Sequence, residues 1–317
     1  MDDTNVLPFP SPITTATDEA RREAARRGVE LITPSPAFDV PPPLDLPTAG
    51  PTPALPAWAA GLAERAASDA EAALNLLLLS AADDEFVLGY RNAEWTGIAP
   101  MLEDDVAFSS MAQDEIGHAR LLYTILGERL GLSADTVVFG RPPAAFHNGW
   151  LVERPRTNWA FTIARQYLYD QFDTVRLEAM TRSALTPLAQ IAGKIVREEK
   201  YHIMYGETWM TRLAEGDPGS YGRLIGALET AWPDTLGLFE PLPGEIGLVA
   251  AGYLPHSLEE MQAEWYERVR RFLDTLNVPL PPLDAVYGGR QGTHTPDFGP
   301  LYDELTVVYR IDPTANW

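Results

Sequence analysis

Two tetrapeptides of the form E-x-x-H, Glu115 to His118 and Glu199 to His202, each lie within a long run of 3.6-residue hydrophobic periodicity. On a helix, residues three apart share one face, so the carboxylate and imidazole of each pair can reach one metal ion. Each pair also has an acid ahead of it at a similar interval: Asp84 lies 31 residues before Glu115, and Asp170 lies 29 before Glu199. Both intervals fit one helix out, a turn and the next helix back. The chain therefore repeats a helical hairpin, and two such hairpins close into a four-helix bundle.

The apolar stripes predict where these side chains point. Asp84 falls on the stripe of Leu77, Ala81 and Leu88, and Asp170 lies between Ile163 and Leu177. Glu115 and His118 continue Phe108, Met111, Ala112, Ala119 and Leu122; Glu199 and His202 follow Leu188, Ala192 and Ile195. Ionised carboxylates buried without compensation cost several kcal/mol each, so positive charge is expected among them. The candidate metal ligands are Asp84, Glu115, His118, Asp170, Glu199 and His202, with Glu115 and Glu199 as the central carboxylates of the chemistry. Hard oxygen donors with one imidazole per ion suit two iron ions, with manganese as the alternative, and such a centre binds and reduces dioxygen. A competing arrangement neutralises the acids with arginines, for which Arg120, Arg165 and Arg197 are nearest in sequence. Asp83, Glu85, Asp114, Asp173 and Glu198 are expected to be exposed or to stand behind the ligands, where Asp114 and Glu198 could orient a histidine. Tyr167, Tyr169 and Tyr201 are either hydrogen-bond partners of the site or core residues.

The fold class is thus all-α: a ferritin-like four-helix bundle with additional helices. Helices are expected at roughly 60–91, 100–131, 156–184, 186–215, 218–239 and 256–276. Pro100 suits a first helical position, and Gly131 and Gly216 mark stops. Before the bundle, twelve of the 28 prolines fall in the first 56 residues, too densely for helix or central strand. Residues 1–57 read as an extended proline-rich arm, interrupted by a short helix at about 17–28, and residues 58–317 as the helical domain. Its irregular, glycine-rich end carries one short helix near 299–309.

Charge and composition narrow the function. The formal net charge is -21, and Lys194 and Lys200 are the only lysines. Neither a nucleic-acid nor an anionic-membrane surface is expected on such a chain. The sequence contains no cysteine, which excludes thiolate metal sites, iron-sulfur clusters and cysteine nucleophiles. The acidic start lacks the build of a secretion signal, and the most apolar stretch, 73–82, is too short to span a bilayer. A cytoplasmic protein is the expectation.

Four stretches resemble the phenylacetic acid catabolic family, the ferritin-like subunits of the multicomponent phenylacetyl-CoA epoxidase. They are Ala93-Glu94-Trp95-Thr96-Gly97-Ile98-Ala99-Pro100, Thr162-Ile163-Ala164-Arg165-Gln166-Tyr167, Glu198-Glu199-Lys200-Tyr201-His202, and Gly288-Gly289-Arg290-Gln291-Gly292-Thr293-His294-Thr295. The second and fourth are similar to the C-type component in particular. The resemblance implies that a catalytic A-type component holds a di-iron centre and that the C-type component is its structural partner, usually with degraded ligand positions. Here all six ligand positions carry ligand residues. The resemblance therefore implies either a C-type component that kept the site and takes part in oxygenation, or a non-catalytic scaffold without metal. It also implies addition of one oxygen atom across the 1,2 bond of a CoA-activated aromatic ring, a separate reductase, a homologous partner subunit, and a dimer or hetero-oligomer. The CoA phosphates would need arginines, with Arg120, Arg165 and Arg290 as candidates. His294 is expected to be a surface or loop-stabilising residue.

Overall fold

The computed structural model describes residues 48–315, and all regular structure among them is helical. The expected helix at 17–28 and most of the proline-rich arm lie outside the described residues; residues 48–56 carry no regular structure. A short helix α1 (Leu62–Ala66) leads into α2 (Ala70–Ala93) and α3 (Leu102–Leu130), which form the first long hairpin. The helix expected at 60–91 is thus broken, because Asp69 takes an extended conformation and its side chain accepts from the Glu71 amide, capping α2. The short α4 (Ala134–Phe139) and α5 (Trp150–Glu153) cross to the second hairpin, formed by α6 (Trp159–Met180) and α7 (Thr186–Ala214). Helix α8 (Pro218–Leu236) packs along α6, and α9 (Glu245–Ala250), α10 (Leu258–Thr275) and α11 (Phe298–Ile311) complete the chain.

Local chemistry explains the boundaries. Asn158 caps α6 by accepting from the Phe161 amide, so that helix starts a few residues after the Arg156 region expected to begin it. Acids at Glu103, Asp104 and Asp105 occupy the first turn of α3, which begins at Leu102 rather than Pro100. Gly131 ends α3 at φ 69°, a conformation that favours glycine. Ser257 and Glu260 form a reciprocal capping box on α10.

The four long helices differ in their surroundings. α3 and α7 each keep one face in water. The buried residues of α7 are Leu188, Ala192, Ile195, Glu199, His202, Gly206, Met210 and Leu213, a single stripe into which the E-x-x-H pair is set. α2 and α6 have almost no such face. Every residue from Leu76 to Glu85 is buried, and on α6 only Trp159 and Glu178 are partly exposed. Gly89 lets α2 approach α3 beside the site, since a Cβ there would lie 3.0 Å from Glu115 Cβ and 2.9 Å from Ile116 Cγ1.

Candidate metal centre

Four helices send acidic or imidazole groups to one buried point. Glu115 and His118 come from α3, Glu199 and His202 from α7, Asp170 from α6, and Glu85 from α2; none is more than 2% exposed. Glu85, Glu115 and His118 present ligand atoms within 4.8 Å of one another, and so do Glu115, Asp170 and His202. Glu115 therefore belongs to both groups. Glu199 Oε1 also reaches both, at 3.6 Å from His118 Nδ1 and 3.2 Å from His202 Nδ1. Gln166 ties the acids together, donating to Glu115 at 3.2 Å and to Asp170 at 2.6 Å.

Asp84 is not brought to this point. Its carboxylate accepts from Arg176 Nη1, Arg290 Nη1 and the Gly149 amide, each at 2.8 Å. The first-helix acid is instead Glu85, with Oε2 3.5 Å from His118 Nδ1. The stripe argument fails here because α2 is buried around most of its circumference, so an apolar neighbourhood does not distinguish one buried side from another. A usable signal was the interval: Glu85 precedes Glu115 by 30 residues, closer to the 29 between Asp170 and Glu199 than the 31 from Asp84. Asp83 and Asp173, expected to be exposed or behind the ligands, are fully buried as well.

An arginine network exists, but with other members and other clients than the sequence suggested. Arg141 binds Asp83, with Nη1 2.8 Å from Oδ2, and also meets Tyr123. Arg176 binds Asp173 through Nε at 2.7 Å, Asp84 as above and the Tyr169 hydroxyl at 3.1 Å. Arg290 from the glycine-rich tail binds Asp84 and the carbonyls of His147 and Leu238. Arg120 and Arg197 are exposed, and the buried Arg165 bonds the Arg154 carbonyl and Asn92. Three arginines thus face three aspartates, Asp83, Asp84 and Asp173. Among the described residues, only Arg176 reaches a site acid, at 3.4 Å from Glu85 Oε1. The carboxylates of Glu115, Asp170 and Glu199 have no arginine or lysine partner among the described residues.

Their donor atoms are correspondingly unpartnered. Glu85 Oε2, Glu115 Oε2, Asp170 Oδ2, both oxygens of Glu199, His118 Nδ1 and both ring nitrogens of His202 are buried without a hydrogen bond. Buried polar groups are ordinarily paired, so a cluster of this kind is the chemistry of an ion site. Four carboxylates with two neutral imidazoles balance two divalent cations. Behind the rings, Glu198 Oε2 lies 3.0 Å from His118 Nε2 and Asp114 Oδ2 lies 3.5 Å from His202 Nε2. Each acid stands on the opposite E-x-x-H helix, where it would fix the imidazole that leaves Nδ1 facing the cluster.

Protonation follows from the same crowding. Burial, then the neighbouring Glu85 charge, pushes the Glu115 carboxyl well up. Burial would also raise Glu85, but the adjoining Glu115 carboxyl and His118 imidazole outweigh it and hold Glu85 at about 2. Asp170 is raised by burial and by Glu199. Burial works against a charged imidazole at His202, yet the Glu199 charge and the nearby Asp114 carboxylate carry it well upward. His118 moves up against its burial in the same way, through Glu85 and Glu199. Without cations, protons supply the missing positive charge.

Other expectations resolve simply. Arg165 and Arg290, candidates for CoA phosphates, are buried and committed inside the fold. His294 stabilises loops: Nδ1 lies 2.6 Å from Glu153 and Nε2 2.9 Å from the Pro143 carbonyl. Tyr169 is a partner of Arg176, whereas the buried Tyr167 hydroxyl has no partner. Among the described residues, no helix is long and apolar enough to cross a membrane.

A bundle of four long helices whose core gathers two E-x-x-H pairs and two further carboxylates defines an all-helical, ferritin-like protein. Residues 61–317 match the family model described as phenylacetic acid catabolic protein, and the chain belongs to that family. It is 32% identical over 247 residues to the C component of 1,2-phenylacetyl-CoA epoxidase from Escherichia coli (strain K12), a span covering 77% of this chain and 99% of that protein. Among solved structures, it is similar to Protein 19 with aldehyde deformylating oxidase activity from Synechococcus. That match has 16% identity and a TM-score of 0.42, and covers 70% of this chain and 94% of that one. The score is too low to define a shared fold.

Proposed function

We propose that this chain is an oxygenase component of phenylacetyl-CoA breakdown with its own two-iron site. The observation that carries the reading is the set of four buried carboxylates and two inward imidazole nitrogens, of which Glu85 alone has an arginine beside it among the described residues. Glu85, Glu115, His118, Asp170, Glu199 and His202 would hold the ions, with Glu115 and Glu199 shared between them. Asp84, Arg176 and Arg290 stand behind Glu85 rather than on the metal. Two iron ions at this position would supply the binding and reduction of dioxygen. The chain's own residues fix the donors and exclude water: Glu198 and Asp114 orient the imidazoles, Gln166 spaces Glu115 from Asp170, and α2 and α6 close the site. Manganese satisfies the same donors. The proposed substrate is an aromatic acyl-CoA, the proposed electron source a separate reductase, and the proposed partner a homologous subunit.

A second reading is favoured by one finding, the likeness to the C component of the epoxidase. In it the chain is a scaffold for a catalytic homologue. The two separate in a reconstituted assay with phenylacetyl-CoA, a reductase and a homologous partner disabled at its own ligands. An oxygenated product is expected when only this chain's site is intact, and none with the Glu115→Ala, Glu199→Ala double variant. Full activity of that double variant beside an intact homologue, with none from this chain's site alone, makes it the scaffold.

A further inference from the structure

A line of oxidisable side chains begins at the metal centre and has no part in the chemistry described so far. The ring of Tyr201 lies 6.3 Å from that of His202, and Tyr205 lies 6.5 Å further on. Trp209 Nε1 donates to the Tyr205 hydroxyl at 3.0 Å, and its ring packs edge-on against Trp159 at 5.5 Å. On the outside, a groove of about 480 Å³ is lined by Met101, Tyr201, Met204, Tyr205, Trp209 and Arg212. Tyr201 is 43% exposed and Met204 57%.

Packing accounts for the rings but not for the acid among them. Asp104 is 2% exposed, and its Oδ1 accepts from the Tyr205 hydroxyl at 2.6 Å and from Trp209 Nε1 at 2.9 Å. Its Oδ2 is buried without a partner. The first turn of α3 tolerates a negative charge there, yet the carboxylate is partnered by a phenol and an indole and by no cation. That is the arrangement of a proton acceptor for the phenol. Burial, reinforced by the Asp104 hydrogen bond, raises the Tyr205 phenol, so it stays protonated unless an electron leaves with the proton.

We propose that Tyr205, with Asp104 as its proton acceptor, is a one-electron relay between this groove and the metal centre. The inference rests on the reading that the centre handles dioxygen. When a dioxygen-derived oxidant persists there without substrate, one electron passes from Tyr205 by way of Tyr201 toward His202. The phenolic proton moves to Asp104, leaving a neutral Tyr205 radical. A one-electron donor such as ascorbate in the groove then returns the electron, and Asp104 returns the proton. Oxidising equivalents would thereby leave the core without attacking it.

The test has two arms. In the metal-free full chain, flash oxidation with photoexcited ruthenium tris-bipyridine and an electron acceptor is followed by electron paramagnetic resonance. A hydrogen-bonded tyrosyl signal is expected in the wild type, absent in Tyr205→Phe, and slower to form with a smaller solvent deuterium effect in Asp104→Asn. Circular dichroism confirms the fold of both variants. The same signal at the same yield in Tyr205→Phe overturns the relay. In the second arm, the reduced, iron-loaded chain meets dioxygen without substrate. The same radical is expected, with more oxidised peptides around the site in Tyr205→Phe; two bound irons and no radical overturn the relay. A chain that binds no iron removes the two-metal reading instead, while the flash arm still decides Tyr205.

Discussion

Two groups of buried acids lie side by side in this bundle, and they are neutralised differently. Asp83, Asp84 and Asp173 are held by Arg141, Arg176 and Arg290, and they accept further hydrogen bonds from the His147 and Gly149 amides. Glu85, Glu115, Asp170 and Glu199 have Gln166, the edge of Arg176 and each other, and most of their outward oxygens have no partner. The first group is paired almost throughout, with Asp173 Oδ2 as its one oxygen lacking a partner among the described residues. The second becomes complete only with added positive charge, so a buried acid signals a ligand when its counter-charge is missing rather than merely because it is buried.

That contrast can be broken experimentally. Arg141→Met leaves Asp83 buried and unpaired, and should cost about 3–5 kcal/mol in denaturant unfolding, equally with and without iron. A loss that iron repairs would join the two groups into one. Iron(II) or manganese(II) at a hundredfold excess over its dissociation constant should stabilise the wild type by about 2.7 kcal/mol for each ion bound and leave Glu115→Ala, Glu199→Ala unchanged, as read by thermal melts. Asp114→Asn or Glu198→Gln should weaken metal binding by roughly 10–100-fold while sparing the fold, because each removes an acid behind an imidazole. The smallest effect is expected for Glu115→Gln without metal. Its carboxyl is already raised and protonated, so a neutral amide should shift stability by no more than about 1 kcal/mol.

The pH dependence has a definite sign. Glu115, Asp170, His118 and His202 are all shifted upward, and so hold protons that cations must displace. Metal uptake should release protons, and affinity should fall as pH is lowered. Calorimetric titrations in two buffers of different ionisation heat would detect this. Uptake without proton release would contradict the protonated state of the metal-free cluster.

Legibility followed exposure. α3 and α7 have a wet face, so their apolar stripes located Glu115, His118, Glu199 and His202 inward, and Asp114 and Glu198 behind the rings. α2 and α6 are buried on nearly every side, and a stripe says little where the contrasting face is so narrow. On α6 the spacing still selected Asp170. On α2 three consecutive acids, Asp83, Asp84 and Glu85, point to three different environments about a hundred degrees apart around the helix. Only the tertiary partners separate them, and two of those, Arg141 and Arg290, come from connecting segments whose placement follows no periodic pattern. The long helices were placed within a few residues except at the start of α2, which begins at Ala70 rather than near 60, whereas α4, α5 and α9 are too short to carry a period.

The most direct test of the missing counter-charge is a metal titration of the purified chain, read by elemental analysis after removal of free ion, beside Glu115→Ala, Glu199→Ala. The account predicts two divalent ions per wild-type chain and none held by the double variant. A folded wild type that retains no metal would contradict it, and would mean that protons alone neutralise the cluster.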